Sequence, residues 1–147
     1  MQIAVISDTH DRLPASLFAD LEKADEIWHL GDICTDDILI ELEAIGPPVT
    51  LVRGNCDINF HWPLTKQLER NGHRFFLIHI PPGEVPFETD FVLHGHTHVP
   101  RDETIDGVRF LNPGCITRPN RGAPASYAFL EIENDRISWR LKLLEKT

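Results

Sequence analysis

Cysteine is scarce in this chain and long apolar runs are missing, which narrows the classes of protein that it can be. The three cysteines form no Cys-x-x-Cys pair, and an odd number cannot all be joined in disulfides. No apolar run approaches the roughly 18 residues that a membrane-spanning helix needs. The first residues form a strand-like run without a signal-peptide pattern. We therefore expect a soluble protein of a reducing compartment, the cytoplasm, without a membrane partner.

Positive charge is also in short supply, with 14 Lys and Arg against 23 Asp and Glu and a net charge of −9. A groove that follows nucleic-acid phosphates needs clustered positive charge, so nucleic acid is not an expected partner. A small phosphate-ester substrate held through metal ions is not excluded. The 147 residues, 41% of them hydrophobic, are predicted to form a single domain over residues 1–147. A homo-oligomer is left open.

Strand-like and helix-like segments alternate in the first half of the chain. Helical periodicity predicts one helix over residues 13–24 and a second one after Thr35, its predicted N-cap. Short apolar runs predict strands at residues 2–7, 26–30 and 49–52. Strands separated by single helices pair in parallel through right-handed crossovers. This half is therefore predicted to be a βαβαβ unit of an α/β protein.

The second half carries hairpin signals instead. Three turn dipeptides stand between apolar runs: Asn71-Gly72, Asp106-Gly107 and Asn134-Asp135. They predict hairpins that join residues 64–70 to 73–79, 103–105 to 108–111, and 128–132 to 137–143, with a further strand at residues 91–93. We therefore expect a mainly antiparallel second half. Residues 80–89 contain three prolines and are predicted to be irregular.

Metal-type side chains follow five of the predicted strands. Seven residues share this placement: Asp8, His10, Asp32, Asn55, His79, His96 and His98. Ligands of open α/β sheets collect beyond the carboxyl ends of strands. A mixture of carboxylate, imidazole and amide oxygen suits two divalent ions better than a structural zinc, which favours cysteine. Taken alone, the run from His94 to His98 is equally consistent with a His-rich surface turn.

The order of these residues resembles a known family. Asp8-x-His10, Gly31-Asp32, Gly54-Asn55, His79 and Gly95-His96-Thr97-His98 resemble the five motifs of the calcineurin-like metallophosphoesterases. Asn112-Pro113-Gly114 resembles a turn of the small bacterial and archaeal phosphodiesterase branch. The resemblance implies a sandwich of two mixed β-sheets flanked by helices. It also implies one metal held by Asp8, His10, Asp32 and His98, and a second held by Asp32, Asn55, His79 and His96, with Asp32 as the bridge.

The implied activity is hydrolysis of a phosphate ester, most simply a phosphodiester, by in-line attack of a metal-bridging hydroxide. Asn55, Asp32 and His10 are the expected catalytic residues. Manganese is the first choice for the two divalent metal ions, while Fe, Ni, Zn or a mixed pair stay open. Two alternatives also stay open: a phosphomonoesterase or nucleotide phosphatase on the same site, and a non-catalytic interaction scaffold. The complete ligand set disfavours the scaffold.

The chain departs from the commoner family pattern near several motifs. Cys56 stands where many members have a histidine that is thought to protonate the leaving group, so no well-placed general acid is expected. Cys115 follows the Asn-Pro-Gly turn where Ser is usual. All three cysteines are expected to pack as small side chains, with a thiolate near the metals as the other reading. The short loop of residues 80–89 predicts an open cleft whose substrate contacts include Arg121.

Two further histidines need an interpretation. His29 is expected to be a packed strand residue. His94 is expected either to orient the neighbouring ligands or to end its strand.

Overall fold

The computed structural model describes residues 1–144, which form ten strands and two short α-helices. The strands, in chain order, are β1 (Gln2–Ile6), β2 (Glu26–His29), β3 (Val49–Leu51), β4 (Thr65–Arg70), β5 (His73–Ile78), β6 (Phe91–Leu93), β7 (Arg101–Ile105), β8 (Val108–Asn112), β9 (Ser126–Glu133) and β10 (Arg136–Leu143). The helices are α1 (Phe18–Lys23) and α2 (Asp36–Ile45). The strands build two five-stranded sheets, so the predicted sandwich of mixed sheets is confirmed.

The first sheet contains the predicted βαβαβ unit. Its strand order is β10-β9-β1-β2-β3, and β1, β2 and β3 run parallel. The antiparallel hairpin of β9 and β10 adds to the free edge of β1. Three parallel strands therefore end at one edge of this sheet, and the loops that follow them carry the first motifs.

The second sheet has the order β4-β5-β6-β8-β7. The predicted hairpins β4–β5 and β7–β8 are antiparallel, but β5, β6 and β8 run parallel through the centre of the sheet. This parallel centre was not predicted. It arises because the chain passes from β6 to the sheet edge, forms β7 there, and returns as β8 beside β6. The second sheet thus also ends several strands at a common edge.

Side chains of both sheets form the core between them. Ile3, Val5 and Trp28 of the first sheet face Phe75 and Leu77 of the second, and all five are almost fully buried. The Trp28 and Phe75 rings meet edge to face with centroids 5.4 Å apart. Each such side chain contributes roughly 1.5–3 kcal/mol through burial. This packing fixes the two sheets against each other and so brings their loop-bearing edges together.

The helices cover the other face of the first sheet. Leu17, Leu21, Ile38 and Leu42 are buried there in a cluster with Ile6 and other strand residues. The helix predicted over residues 13–24 begins later than expected, at Phe18, after a 3-10 turn at Ala15–Leu17. The bounds of all ten strands lie within two residues of those predicted.

Local geometry explains the late start of α1 and the second helix cap. Pro14 has an extended ψ of 135°, so it cannot belong to the helix. Thr35 is the N-cap of α2 as predicted, but its hydroxyl makes no capping bond and instead donates to Asp11 Oδ1 at 2.7 Å. Asn71 and Gly72 both have positive φ, as the predicted hairpin turn requires. Among residues 1–144, no helix has the length and apolar character needed to cross a membrane.

Candidate metal centre

The seven residues predicted as metal ligands lie in loops that follow β1, β2, β3, β5 and β6. The packed sheets bring these five loops to one edge of the sandwich. The non-glycine residues with left-handed backbone include five of the seven: Asp8, His10, Asp32, His96 and His98, with φ of 58°, 46°, 61°, 71° and 63°. Such conformations cost energy and cluster at functional sites. The loops are therefore shaped to point particular side chains at a common centre.

Four of the predicted ligands converge as the first implied set. Asp8, His10, Asp32 and His98 each offer one ligand atom, and these atoms all lie within 4.8 Å of one another. His98 Nε2 is 3.2 Å from Asp8 Oδ1, and His10 Nε2 is 3.5 Å from Asp32 Oδ2. Asp8 is fully buried, and its Oδ1 has no hydrogen-bond partner among the described residues.

The other implied set gathers around Asn55. Its Oδ1 lies 3.0 Å from His79 Nε2 and 3.1 Å from His96 Nδ1. His79 Nε2 is also 3.3 Å from Asp32 Oδ2. The same carboxylate oxygen therefore faces His10 on one side and His79 on the other. Asp32 occupies the position between the two sets.

Three of the imidazoles are oriented by backbone carbonyls. The Nδ1 atoms of His10, His79 and His98 lie 3.0, 2.7 and 2.6 Å from the carbonyl oxygens of Asp8, Leu30 and Arg118. A carbonyl only accepts, so Nδ1 carries a proton and Nε2 is the ring nitrogen that meets the carboxylates or a bound metal ion. This is the usual outer support of a metal-binding histidine.

The electrostatics of the centre call for positive charge. Burial raises the pKa of Asp8, against the opposing influence of His79. Burial acts the same way on Asp32, but hydrogen bonds from His79 and the Cys56 backbone N–H lower its pKa overall. Burial disfavours the charged form of His79, yet Asp32 and Asp8 raise its pKa. The two carboxylates thus favour the protonated form of the buried His79 ring. A bound cation would balance their negative charge in the same way.

The residues present therefore fit divalent metal ions. Buried carboxylates, imidazole nitrogens and an amide oxygen converge, and no Lys or Arg side chain of residues 1–144 bonds to them. This donor set suits Mn²⁺, Fe²⁺, Ni²⁺ or Zn²⁺. The orphaned Asp8 Oδ1 is the sharpest sign, because a buried acceptor without a partner is costly.

Two motif glycines allow the loops to approach this closely. A Cβ on Gly54 would lie 2.2 Å from Asp32 Oδ1, and a Cβ on Gly95 would lie 2.1 Å from Ser7 Oγ. Ser7 in turn donates to Asp8 Oδ2 at 2.6 Å. Any side chain at Gly54 or Gly95 would therefore displace a predicted ligand or its support.

Asp57 holds two of the motif loops together, a role that the sequence analysis missed. Its carboxylate is only 5% exposed and accepts three backbone N–H bonds. The donors are Asp32 at 3.0 Å, Gly54 at 2.6 Å and Cys34 at 2.6 Å. The available signal was an acidic residue two positions after Asn55. Its partners Asp32 and Cys34 lie 25 and 23 residues earlier in the chain, so no local pattern indicates these contacts.

His29 and His94 are neutral supports of the loops. His29 is fully buried in its strand, as expected, and burial lowers its pKa to about 3. It accepts the Gly31 N–H and donates to the Thr9 hydroxyl. Burial also lowers the pKa of His94, to about 4. Its Nδ1 donates to Gly95 O, and its Nε2 accepts from Arg101, which favours the orienting role over a simple strand end.

The three cysteines are free thiols. Burial, followed by the charge of Asp11, raises the pKa of Cys34 to about 11. Burial and Asp32 raise the pKa of Cys56, and burial raises that of Cys115. None is therefore a thiolate at neutral pH in this setting. The expectation of packed cysteines holds for buried Cys115 and is wrong for Cys56, which is exposed.

The cleft beside the centre is lined by residues outside the loop of residues 80–89 as well. A groove of about 600 Å³ is lined by His96 and by Arg121, the residue predicted to contact substrate. It also includes Arg101, which the sequence did not indicate. Arg118 does not line this groove; its carbonyl supports His98 instead.

The chain is similar to known proteins over most of its length. Residues 1–135 match the calcineurin-like phosphoesterase superfamily domain. A probable metallophosphoesterase of Methanothermobacter thermautotrophicus is 34% identical over 155 residues, covering 93% of this chain and 89% of the relative. The phosphodiesterase YfcE of Escherichia coli is 31% identical over 169 residues, covering 94% of this chain and 90% of YfcE.

Solved structures are similar over nearly the whole chain. The structure of YfcE, a phosphoesterase, aligns with a TM-score of 0.76 at 29% identity over 89% of this chain and 88% of that one. Vps29 of Entamoeba histolytica, crystallised with Zn²⁺, aligns with a TM-score of 0.80 over 98% of both chains. Its identity is 21%, so this likeness concerns the fold alone.

Proposed function

Because the chain belongs to the calcineurin-like phosphoesterase superfamily, we propose that it is a phosphodiesterase that works with two divalent metal ions, manganese in the first place. One observation carries the two-metal part of the proposal. Asp32 Oδ2 lies 3.5 Å from His10 Nε2 and 3.3 Å from His79 Nε2, which is the position of a shared ligand.

The first ion would be held by Asp8, His10, Asp32 and His98, and the second by Asp32, Asn55, His79 and His96. When bound, such a pair of ions polarises the phosphoryl oxygens and lowers the pKa of a water molecule that attacks phosphorus in line with the leaving alcohol.

The protein's own contribution is to hold its donors in place before the substrate arrives. The carbonyls behind His10, His79 and His98 fix the imidazole rings, and Asp57 fixes the loops of Asp32 and Asn55. Donors that are already fixed need little reorganisation when negative charge develops on the phosphoryl oxygens. Such preorganisation is the main source of electrostatic catalysis. The Asn55 amide N–H₂ is available for such an oxygen, since among the described residues its one hydrogen-bond partner is Cys56 Sγ, at 3.7 Å.

Preference for a diester over a monoester is supported by the relatives and not by the ligand set, which suits both. YfcE, at 31% identity over 94% of this chain, is named a phosphodiesterase. A phosphomonoesterase, a nucleotide phosphatase and a non-catalytic scaffold are therefore outcomes that the experiment must separate.

The test compares wild type with Asp32→Asn, and uses exposed Asp37→Asn as the matched control. We expect wild type with Mn²⁺ to hold two ions per chain and to hydrolyse bis(p-nitrophenyl) phosphate faster than p-nitrophenyl phosphate. Asp32→Asn should lose metal and at least about 10²-fold in turnover, because the metals supply several kcal/mol at about 1.4 kcal/mol per tenfold. Near-normal turnover of Asp32→Asn with metal retained would refute the bridging role.

The same measurements separate the alternatives. Faster cleavage of the monoester would indicate a phosphomonoesterase, and a nucleoside monophosphate cleaved faster still would indicate a nucleotide phosphatase. Wild-type protein with neither metal nor turnover would point to the scaffold.

A further inference from the structure

The groove beside the candidate metal centre has an unusual lining for so acidic a chain. His96 belongs both to the metal centre and to the groove. A phosphoryl group bound at the metal centre would therefore have the groove beside it for one of its substituents. A cavity of about 600 Å³ is within the range of small-molecule sites. Pro81, Val99 and Pro100 give it apolar surface suited to a short carbon chain.

Two arginines, Arg101 and Arg121, line this groove, although the chain carries a net charge of −9. Arg101 donates through Nη1 to His94 Nε2 at 3.1 Å and through Nε to Glu103 Oε2 at 3.0 Å. Its guanidinium also lies over the Phe110 ring, 4.7 Å from the centroid. These contacts fix the group, while its Nη2 makes no hydrogen bond to the residues that the structure describes.

Arg121 supplies the second cation from the opposite loop. Asn120 ties this loop to the fifth motif, since its N–H donates to His98 O at 3.2 Å and its side chain to Thr97 O at 3.4 Å. The Arg121 guanidinium has no hydrogen bond or ion pair within residues 1–144, and the residue is exposed. The groove therefore offers one prearranged and one free guanidinium edge, the groups that bind carboxylate and phosphate best.

We propose that this groove is a substrate subsite in which Arg101 and Arg121 select phosphate esters that carry a second anionic group a few carbons from the scissile phosphorus. The proposal rests on the proposed function, because it assumes that the phosphoryl group binds at the metal centre. Among residues 1–144, Glu103 is the one acidic residue that lines the groove, and it pairs with Arg101 Nε. This pairing leaves Arg101 Nη2 and the Arg121 guanidinium without an acidic partner among these residues. An uncharged substituent would fill the groove but leave both cations unpaired.

The test is calorimetric binding of matched phosphonates, which are not hydrolysed, to the Mn²⁺-loaded protein. Each pair has the same carbon chain and differs in a terminal carboxylate: 3-phosphonopropanoate against propylphosphonate, and 4-phosphonobutanoate against butylphosphonate. We expect one of the carboxylates to bind about tenfold tighter than its partner, the size of one charge-assisted contact in a partly exposed groove.

Arg121→Gln should reduce the ratio of the two affinities toward one while leaving alkylphosphonate affinity unchanged. Arg101→Gln should also reduce this ratio; because Arg101 supports His94 at the metal centre, its readout is the ratio and not the alkylphosphonate affinity itself. Arg136→Gln, an exposed arginine on β10, is the control and should keep the preference. Equal affinity of the matched phosphonates in wild type, or a preference that survives both groove variants, would overturn the subsite and leave the phosphodiesterase proposal intact. If no phosphonate binds although bis(p-nitrophenyl) phosphate is hydrolysed, the subsite alone is again refuted. If there is neither binding nor hydrolysis, both proposals fail.

Discussion

Replacing Asp57 by asparagine tests whether one buried carboxylate holds the metal-site loops together. The change keeps the size of the side chain but removes its charge and one acceptor. Asp57 Oδ2 accepts from Asp32 N and Gly54 N, and Oδ1 accepts from Cys34 N. In its best orientation, the asparagine oxygen serves the first two donors. Its NH₂ group then faces the Cys34 N–H across a distance that was 2.6 Å.

The expected destabilisation follows from these contacts. One charge-assisted bond worth about 1.5–3 kcal/mol is lost, and the other two weaken by about 1 kcal/mol each as the acceptor becomes neutral. The sum is about 3.5–5 kcal/mol. At about 2–4 °C per kcal/mol for a chain of this size, the Tm should fall by about 7–20 °C. Because the loops of Asp32 and Asn55 are released, Mn²⁺ affinity should also fall, by about 10–100-fold.

Scanning calorimetry in EDTA measures the Tm, and metal analysis after dialysis measures Mn²⁺ retention. Asp135→Asn is the matched control, since Asp135 is exposed in the turn between β9 and β10. The reasoning fails if Asp57→Asn melts within about 1 °C of Asp135→Asn and keeps its metal.

Three further substitutions test other parts of the site. Gly95→Ala should lower the Tm by several degrees and reduce Mn²⁺ retention, because its Cβ would lie 2.1 Å from Ser7 Oγ, whereas Gly83→Ala, with open space around its Cβ, should change neither; equal behaviour of the two would contradict the close approach. Asp8→Asn should melt at or above the wild-type temperature in EDTA, since it removes a buried oxygen without a partner, yet gain less Tm from Mn²⁺; a full Mn²⁺ gain would argue against Asp8 as a ligand. Rates over aryl and alkyl phosphodiesters should fall steeply with leaving-group pKa and change little in Cys56→Ser; a flat wild-type dependence that steepens in Cys56→Ser would identify the thiol as the acid.

Local features of the sequence were enough to predict the secondary structure of the fold and the composition of the site. Strand runs, turn dipeptides and helix caps depend on neighbours in the chain, so the hairpin at Asn71-Gly72 and the βαβαβ unit were predictable. The seven predicted ligands stand directly after strands, and the carboxyl ends of parallel strands must share an edge. That rule predicted a shared edge for the ligands that follow the first sheet, Asp8, His10, Asp32 and Asn55. The meeting of this edge with His79, His96 and His98 depended on the packing of the second sheet.

Contacts between distant parts of the chain were decided only by the tertiary structure. The parallel pairing of β6 with β8 depends on β7 taking the sheet edge, and no local pattern specifies an edge position. Asp57 and Arg101 are ordinary charged residues in the sequence. Asp57 holds the loop of Asp32 only because the fold brings that loop to it. Arg101 supports His94 for the same reason. The start of α1 was predicted too early for a local reason. The periodicity of the leucines indicated a helix from residue 13, but the backbone at Pro14 is extended. Periodicity and turn chemistry act over a few residues, whereas ligand distances and shared acceptors depend on how the two sheets pack.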